Sequence, residues 1–286
     1  MLGAHFKEGH TLATGAQLDL PLPDDDAKSM LTICRIMHMC SDVPAVKRSK
    51  AVLEIAVLVD KYKCKAALSY PISVWIQDPR LYLYDSDRMN LFIAAYILEL
   101  PADFTRPGQE LVHRTRSSFP SADIPGGDEY LEHVIYELKE QLEDLRHDAV
   151  ALLNSIIETE CVGTSRKTEN SPRCALQGCK YVLIRSHNFM TKLIRSELWP
   201  ITSIKERSLS SVCEGLLRFS GDWTQSIPDC NKTVMGCSKD HMETTDEIFN
   251  DLKAFARTVE LKAIRPCLTC VKEGYVQIKG GCVKGH

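Results

Sequence analysis

One helix constrains this chain more than any other feature. Between Asp128 and Glu160, Leu131, Leu138, Leu145 and Leu152 recur every seven residues, and Ile135, Leu142, Ala149 and Ile156 take the alternate seam positions. A 4-3 repeat held for more than three heptads requires an uninterrupted helix that buries one stripe. The stripe has two readings, a dimerising zipper or the longest core helix of a bundle. Val134 and Leu153 widen it beyond a narrow two-helix seam, which favours the core helix. No basic helix precedes it, so a zipper of the DNA-binding kind fails.

The remaining patterns are also mainly helical. Pro23-Asp24-Asp25-Asp26 breaks a weak alternation around Leu18, Leu20 and Leu22 and reads as a short strand followed by a helix N-cap. From Ala27 to Met39 the apolar residues Met30, Leu31, Ile33, Cys34, Met37 and His38 predict a buried helical face. A strongly buried helix follows from Val52 to Tyr62, then another from Cys64 to Trp75 with Pro71 inside it. Met89–Leu98 and Asp103–His113 read as helices, Ser117–Gly127 as a loop and linker candidate. Further helices are predicted over Cys179–Leu198, Leu209–Phe219 and Thr245–Ala263, with Trp199-Pro200 as a stop.

Composition narrows the function classes. The net charge of −3 and pI near 6.3 give no basic field for nucleic acid, so a nucleic-acid partner is not expected. No apolar run approaches the roughly 20 residues needed to cross a bilayer, and the N-terminal MLGAHFKEGH lacks the apolar centre of a secretory signal. The expectation is an intracellular protein of the nucleus or cytoplasm, without a membrane partner, whose 12 cysteines serve as thiols or metal ligands.

Cysteine spacing is the sharpest local signal. Cys267-Leu268-Thr269-Cys270 is followed by Cys282 and the terminal His286. Two thiolates at Cys-x2-Cys spacing can bind one ion, and a second pair closes a tetrahedron suited to structural zinc. The competing reading is a tail of reduced cysteines. Cys230, Cys237 and His241 form a weaker set that needs a distant fourth ligand. Cys34, Cys64 and Cys213 read as small core side chains.

Nothing in the pattern predicts an enzyme. Gly126-Gly127-Asp128-Glu129-Tyr130 is similar to the signature of diguanylate cyclases, which sits on a hairpin there. Opening a heptad helix here, it reads as a helix N-terminus with acids at the positive end of the dipole. No phosphate-cradling loop and no Gly-x-Ser-x-Gly elbow occur.

The first eighty residues resemble the second half of a BTB/POZ domain of the kind abundant in fungal proteins. Phe6-Lys7-Glu8-Gly9, Leu20–Ala27, Ile33–His38 and Glu54–Cys64 with Ala67-Leu68 carry the likeness, and Asp60-Lys61-Tyr62-x-Cys64 is its most specific part. Ala94–Leu98, Leu198-Trp199-Pro200 and the Cys267–Gly274 tail echo the region that follows in such proteins. The match begins inside the family's second helix, so the resemblance implies one short strand and three helices, with most of the family's dimer surface missing.

The reading is therefore a mainly α protein in three parts. Residues 1–79 form the C-terminal half of a BTB/POZ domain, 80–263 a helical region, and 264–286 a Cys/His tail with a zinc site at Cys267, Cys270, Cys282 and His286. The resemblance implies an interaction module or adaptor that links another protein to a cullin-type ubiquitin ligase. The alternative is a zinc-stabilised nucleic-acid or chromatin-associated factor, using the tail with Lys272, Lys279 and Lys284.

Overall fold

The computed structural model describes residues 11, 13–14, 21–43, 45–158, 180–219, 250–259 and 266–273. Among these the chain is mainly α-helical, and no described residue lies in a strand. The strand expected around Leu18–Leu22 falls largely outside the described residues; Leu22 itself is exposed and carries no strand.

The first helix, α1 (Ala27–Met37), begins where its sequence says it should. Asp26 accepts a hydrogen bond from the Ser29 backbone N–H at 2.7 Å and satisfies one of the orphan donors of the first turn. Helix α2 (Ser49–Lys61) buries Val52, Ile55, Ala56, Leu58 and Val59, and ends at Tyr62 and Lys63. Helix α3 (Lys65–Gln77) carries Pro71 inside it, and a 3-10 turn over Pro79–Leu81 follows. Helices α4 (Asp85–Ile97) and α5 (Pro101–Arg114) pack on each other, and α4 also packs along α2. Phe92 and Phe104 stack there with ring centroids 4.5 Å apart.

Helix α6 (Glu129–Ile157) is the heptad helix. Gly126 and Gly127 adopt φ of +82° and +63°, a turn that favours glycine. The Asp128 carboxylate then caps the helix, accepting from the Tyr130 and Leu131 N–H groups at 3.0 and 3.1 Å. Beyond it come α7 (Lys180–Arg195), a 3-10 turn over Ile201–Glu206, α8 (Leu209–Phe219), a helical segment α9 at 250–259, and the short α10 (Leu268–Lys272).

Two hydrophobic cores hold these elements. The first takes Ile33, the buried faces of α2 to α5, Leu131 to Leu145 of α6, and Leu268 and Val271 of α10. It runs without interruption across residues 79 and 80. The second takes Ala149, Leu153 and Ile156 of α6 with Phe189, Leu193, Leu198, Ile204, Val212, Leu216, Phe219 and Leu252. The heptad seam is thus filled by this chain's own side chains, its first five positions in the first core and its last three in the second. Helices α8 and α9 also serve both, since Leu209, Cys213, Ala256 and Val259 join the first core.

Arg146 lies where the cores meet. Its side chain is 1% exposed and donates to the carbonyls of Ser117 at 2.9 Å and of Thr115 and Arg207 at 3.0 Å. Glu143 balances the charge at 3.0 Å. One guanidinium fork therefore closes the backbone of two connecting segments onto α6.

Candidate interaction surfaces

Helix α1 buries only part of the face that its sequence pattern predicts. Of the expected inner face, Ile33 is buried and Met30 packs against the core, but Leu31, Cys34, Met37 and His38 are exposed, while Ser29 and Thr32 are buried beside Ile33. Polar residues tolerate that position because they are satisfied locally: the Thr32 hydroxyl donates to the Lys28 carbonyl at 2.9 Å, and the Ser29 N–H is held by Asp26. Cys34 is accordingly not a core side chain. Cys64 is half-buried and Cys213 buried. Leu31 and Met37 are each 51% exposed and Met39 is 92% exposed, so α1 carries an uncovered apolar strip to its end.

The strip is presented rigidly. Asp25 accepts from Lys61 Nζ at 2.6 Å and from the Tyr62 hydroxyl, tying the start of α1 to the end of α2. The Lys61 bond, then the Tyr62 bond, hold the Asp25 carboxyl below the usual carboxylate range. Lys63 takes φ of +54° and the Cys64 N–H returns to the Val59 carbonyl at 3.1 Å, closing the helix end. The Asp60–Cys64 run is therefore a structural corner.

Beside this corner lies an open groove of 410 Å³ between α2, α4 and the 121–125 loop. Leu53, Val57, Leu58, Met89 and Ile93 form its floor, and Asp24, Asp26, Glu54 and Asp123 its rim, with Lys50 the single cation of the lining. A second groove of 380 Å³ runs between α6 and α9, floored by Leu145, Leu152 and Phe255.

The tail segment is docked on the first core. Thr105 Oγ1 donates to the Pro266 carbonyl at 3.0 Å, and Pro266 lies so close to Gly108 that an added Cβ would sit 2.7 Å from its ring. Glu99 is gripped by Lys272 and Lys65, each at 2.5 Å, and these bonds lower its carboxyl to about 2. Cys267 stands at the N-cap of α10 and Cys270 one turn on, buried at 5% exposure. The pair is part of a helical turn seated on α5 and α6. Cys282, His286, Cys230, Cys237 and His241 lie outside the described residues. Among the described residues no three His, Cys, Asp or Glu side chains gather as metal ligands, and no helix is long and apolar enough to cross a membrane.

Sequence reasoning named the cysteines but missed both surfaces. A groove lined by residues from 24 to 125 has no local signature, whereas the outward strip had one in the unusual polarity of Ser29 and Thr32. No protein-family model, curated protein or solved structure matches this chain.

Proposed function

We propose that this chain works by holding other proteins, as an intracellular interaction module or adaptor of the BTB/POZ type that links a partner to a cullin-type ubiquitin ligase. The observation that carries the reading is the outward apolar strip of Leu31, Cys34 and Met37 on α1, continued by Met39 just past its end, with the start of the helix tied to α2 through Asp25. An apolar strip that a folded core leaves uncovered while polar residues of the same helix go inside is what a docking face requires. Two of the segments that suggest the family are tied to each other, Asp25 being bonded to Lys61 and Tyr62.

The test is quantitative affinity capture from the native cells, comparing the chain with its Leu31→Asp/Met37→Asp variant. Both substituted positions are about half exposed, so the variant keeps its fold, checked by its thermal unfolding midpoint. The reading expects a discrete set of proteins, a cullin among them, to be lost with the variant. Identical capture by both chains would remove α1 from the function.

A further inference from the structure

A second surface goes beyond that reading and stands without it, because no residue of the α1 strip lines it. We propose that the groove between α2, α4 and the 121–125 loop binds a basic peptide segment of a partner protein, with aliphatic side chains seated between its lysines or arginines. The two halves of the groove specify the two halves of the ligand.

The floor is apolar and presents both buried and half-buried surface. Met89 and Ile93 are closed beneath, while Leu53 and Val57 keep part of their surface open to the groove. A volume of 410 Å³ accommodates a few aliphatic side chains and is too open to enclose a small molecule on all sides.

The rim then decides the charge of what brings those side chains. Four carboxylates (Asp24, Asp26, Glu54, Asp123) face one ammonium, Lys50, so the lining carries three net negative charges. Asp26 caps α1, and the other three carboxylates make no hydrogen bond and no ion pair closer than 3.9 Å among the described residues. Asp123 neither accepts a hydrogen bond nor pairs with a cation among the described residues, and Asp24 makes no hydrogen bond or close ion pair there, although it lies within the field of Lys61. Glu54 meets Lys50 only at 3.9 Å across exposed side chains, and Asp26 uses a single oxygen on Ser29. An anionic rim around an apolar floor attracts a cationic partner and repels an acidic one. The Asp25 carboxylate, tied to Lys61 and Tyr62, sits between Asp24 and Asp26 in sequence and holds that side of the rim in place.

The test uses the full chain and a fluorescently labelled synthetic peptide in which leucine pairs alternate with lysines, read by anisotropy. Three comparison peptides replace lysine by glutamate, replace leucine by serine, or scramble the order. The expected result is binding of the lysine–leucine peptide alone among the unscrambled three, weakened as salt rises. The Asp24→Lys/Asp123→Lys variant weakens it by about tenfold, as removal and reversal of two facing charges should. Glu140→Lys, an exposed reversal on α6, leaves it unchanged. Equal binding of the glutamate or serine peptide overturns the proposal, as does an equal loss with Glu140→Lys. Sedimentation of the wild-type chain adds one more outcome: self-association abolished by the groove variant would make a second copy the occupant and overturn the peptide assignment. The α1 variant retains peptide binding, so failure here and failure of the α1 reading are distinguishable.

Discussion

The two cores of this molecule are built by opposite routes. The first is founded on α2, α3, α4 and α5, which follow one another in sequence with short turns, and is completed by residues of α6, α8, α9 and α10. The second is gathered from distant pieces: the end of α6, the middle of α7, the 3-10 turn after Pro200, α8 and Leu252. The first core is larger and seals itself, yet it leaves an apolar strip outside on α1. The second spends its apolar residues inward, including the edge-to-face pair Phe189 and Phe219 at 5.4 Å. A long helix shared between them explains why its stripe is wider than a two-helix seam. It must face two partners in succession, not one partner twice.

The sharpest way to break this comparison is at the joint. Replacing Arg146 by Met leaves three carbonyls without their donor and Glu143 without its cation, and should lower unfolding stability by about 3–5 kcal/mol. Denaturant unfolding followed by circular dichroism measures it; a loss under about 1 kcal/mol would mean the cores do not depend on this clasp. Next come two matched cavities on α6. Leu142→Ala and Leu153→Ala should each cost about 3 kcal/mol, both side chains being fully buried. Hydrogen exchange should rise chiefly in α2, α4 and α5 for the first and in α7 and α8 for the second. The same exchange pattern from both would merge the two cores into one cooperative unit.

Smaller effects sharpen the edges of the first core. Removing the cap with Asp26→Ala should loosen α1 alone, read as faster amide exchange in its first turn. The tail clasp gives the smallest effect and a pH signature. The folded-state value of Glu99 is depressed to about 2 from 4.5, so its contribution is present above pH 4.5 and fades as pH falls toward 2. Because the side chains are partly exposed, the loss is under about 1 kcal/mol. Exchange at α10 should increase over that window in the wild type, and Glu99→Gln should show the increase already at neutral pH. A wild-type α10 whose exchange ignores that window would place the hold on 266–273 elsewhere, in Pro266 and Leu268.

What could be read from sequence was whatever is local. Leu209–Phe219 was predicted to its end residues, and the N-terminus of α6 followed from Gly126, Gly127 and Asp128, because turn geometry and capping act within a few residues. The orientation of α1 was not readable from its apolar count. Which face goes inside is set by the helices it meets, and Ser29 and Thr32 can be buried because their bonds are made within one turn. Nothing local marks Arg146 as a clasp, since its three carbonyl partners lie 29 to 61 residues away. Cys267 and Cys270 showed their spacing, but their seat on α5 and α6 depends on contacts such as Thr105 to Pro266, 161 residues apart.

The proposed docking surface is the face of α1 that its own core leaves bare. A photoreactive amino acid placed at Leu31, and at Glu140 on the polar side of α6 as the control, reports directly what touches each position in living cells. A discrete protein adduct is expected at position 31 and none at 140. No adduct at 31, or the same adducts at both positions, would contradict it.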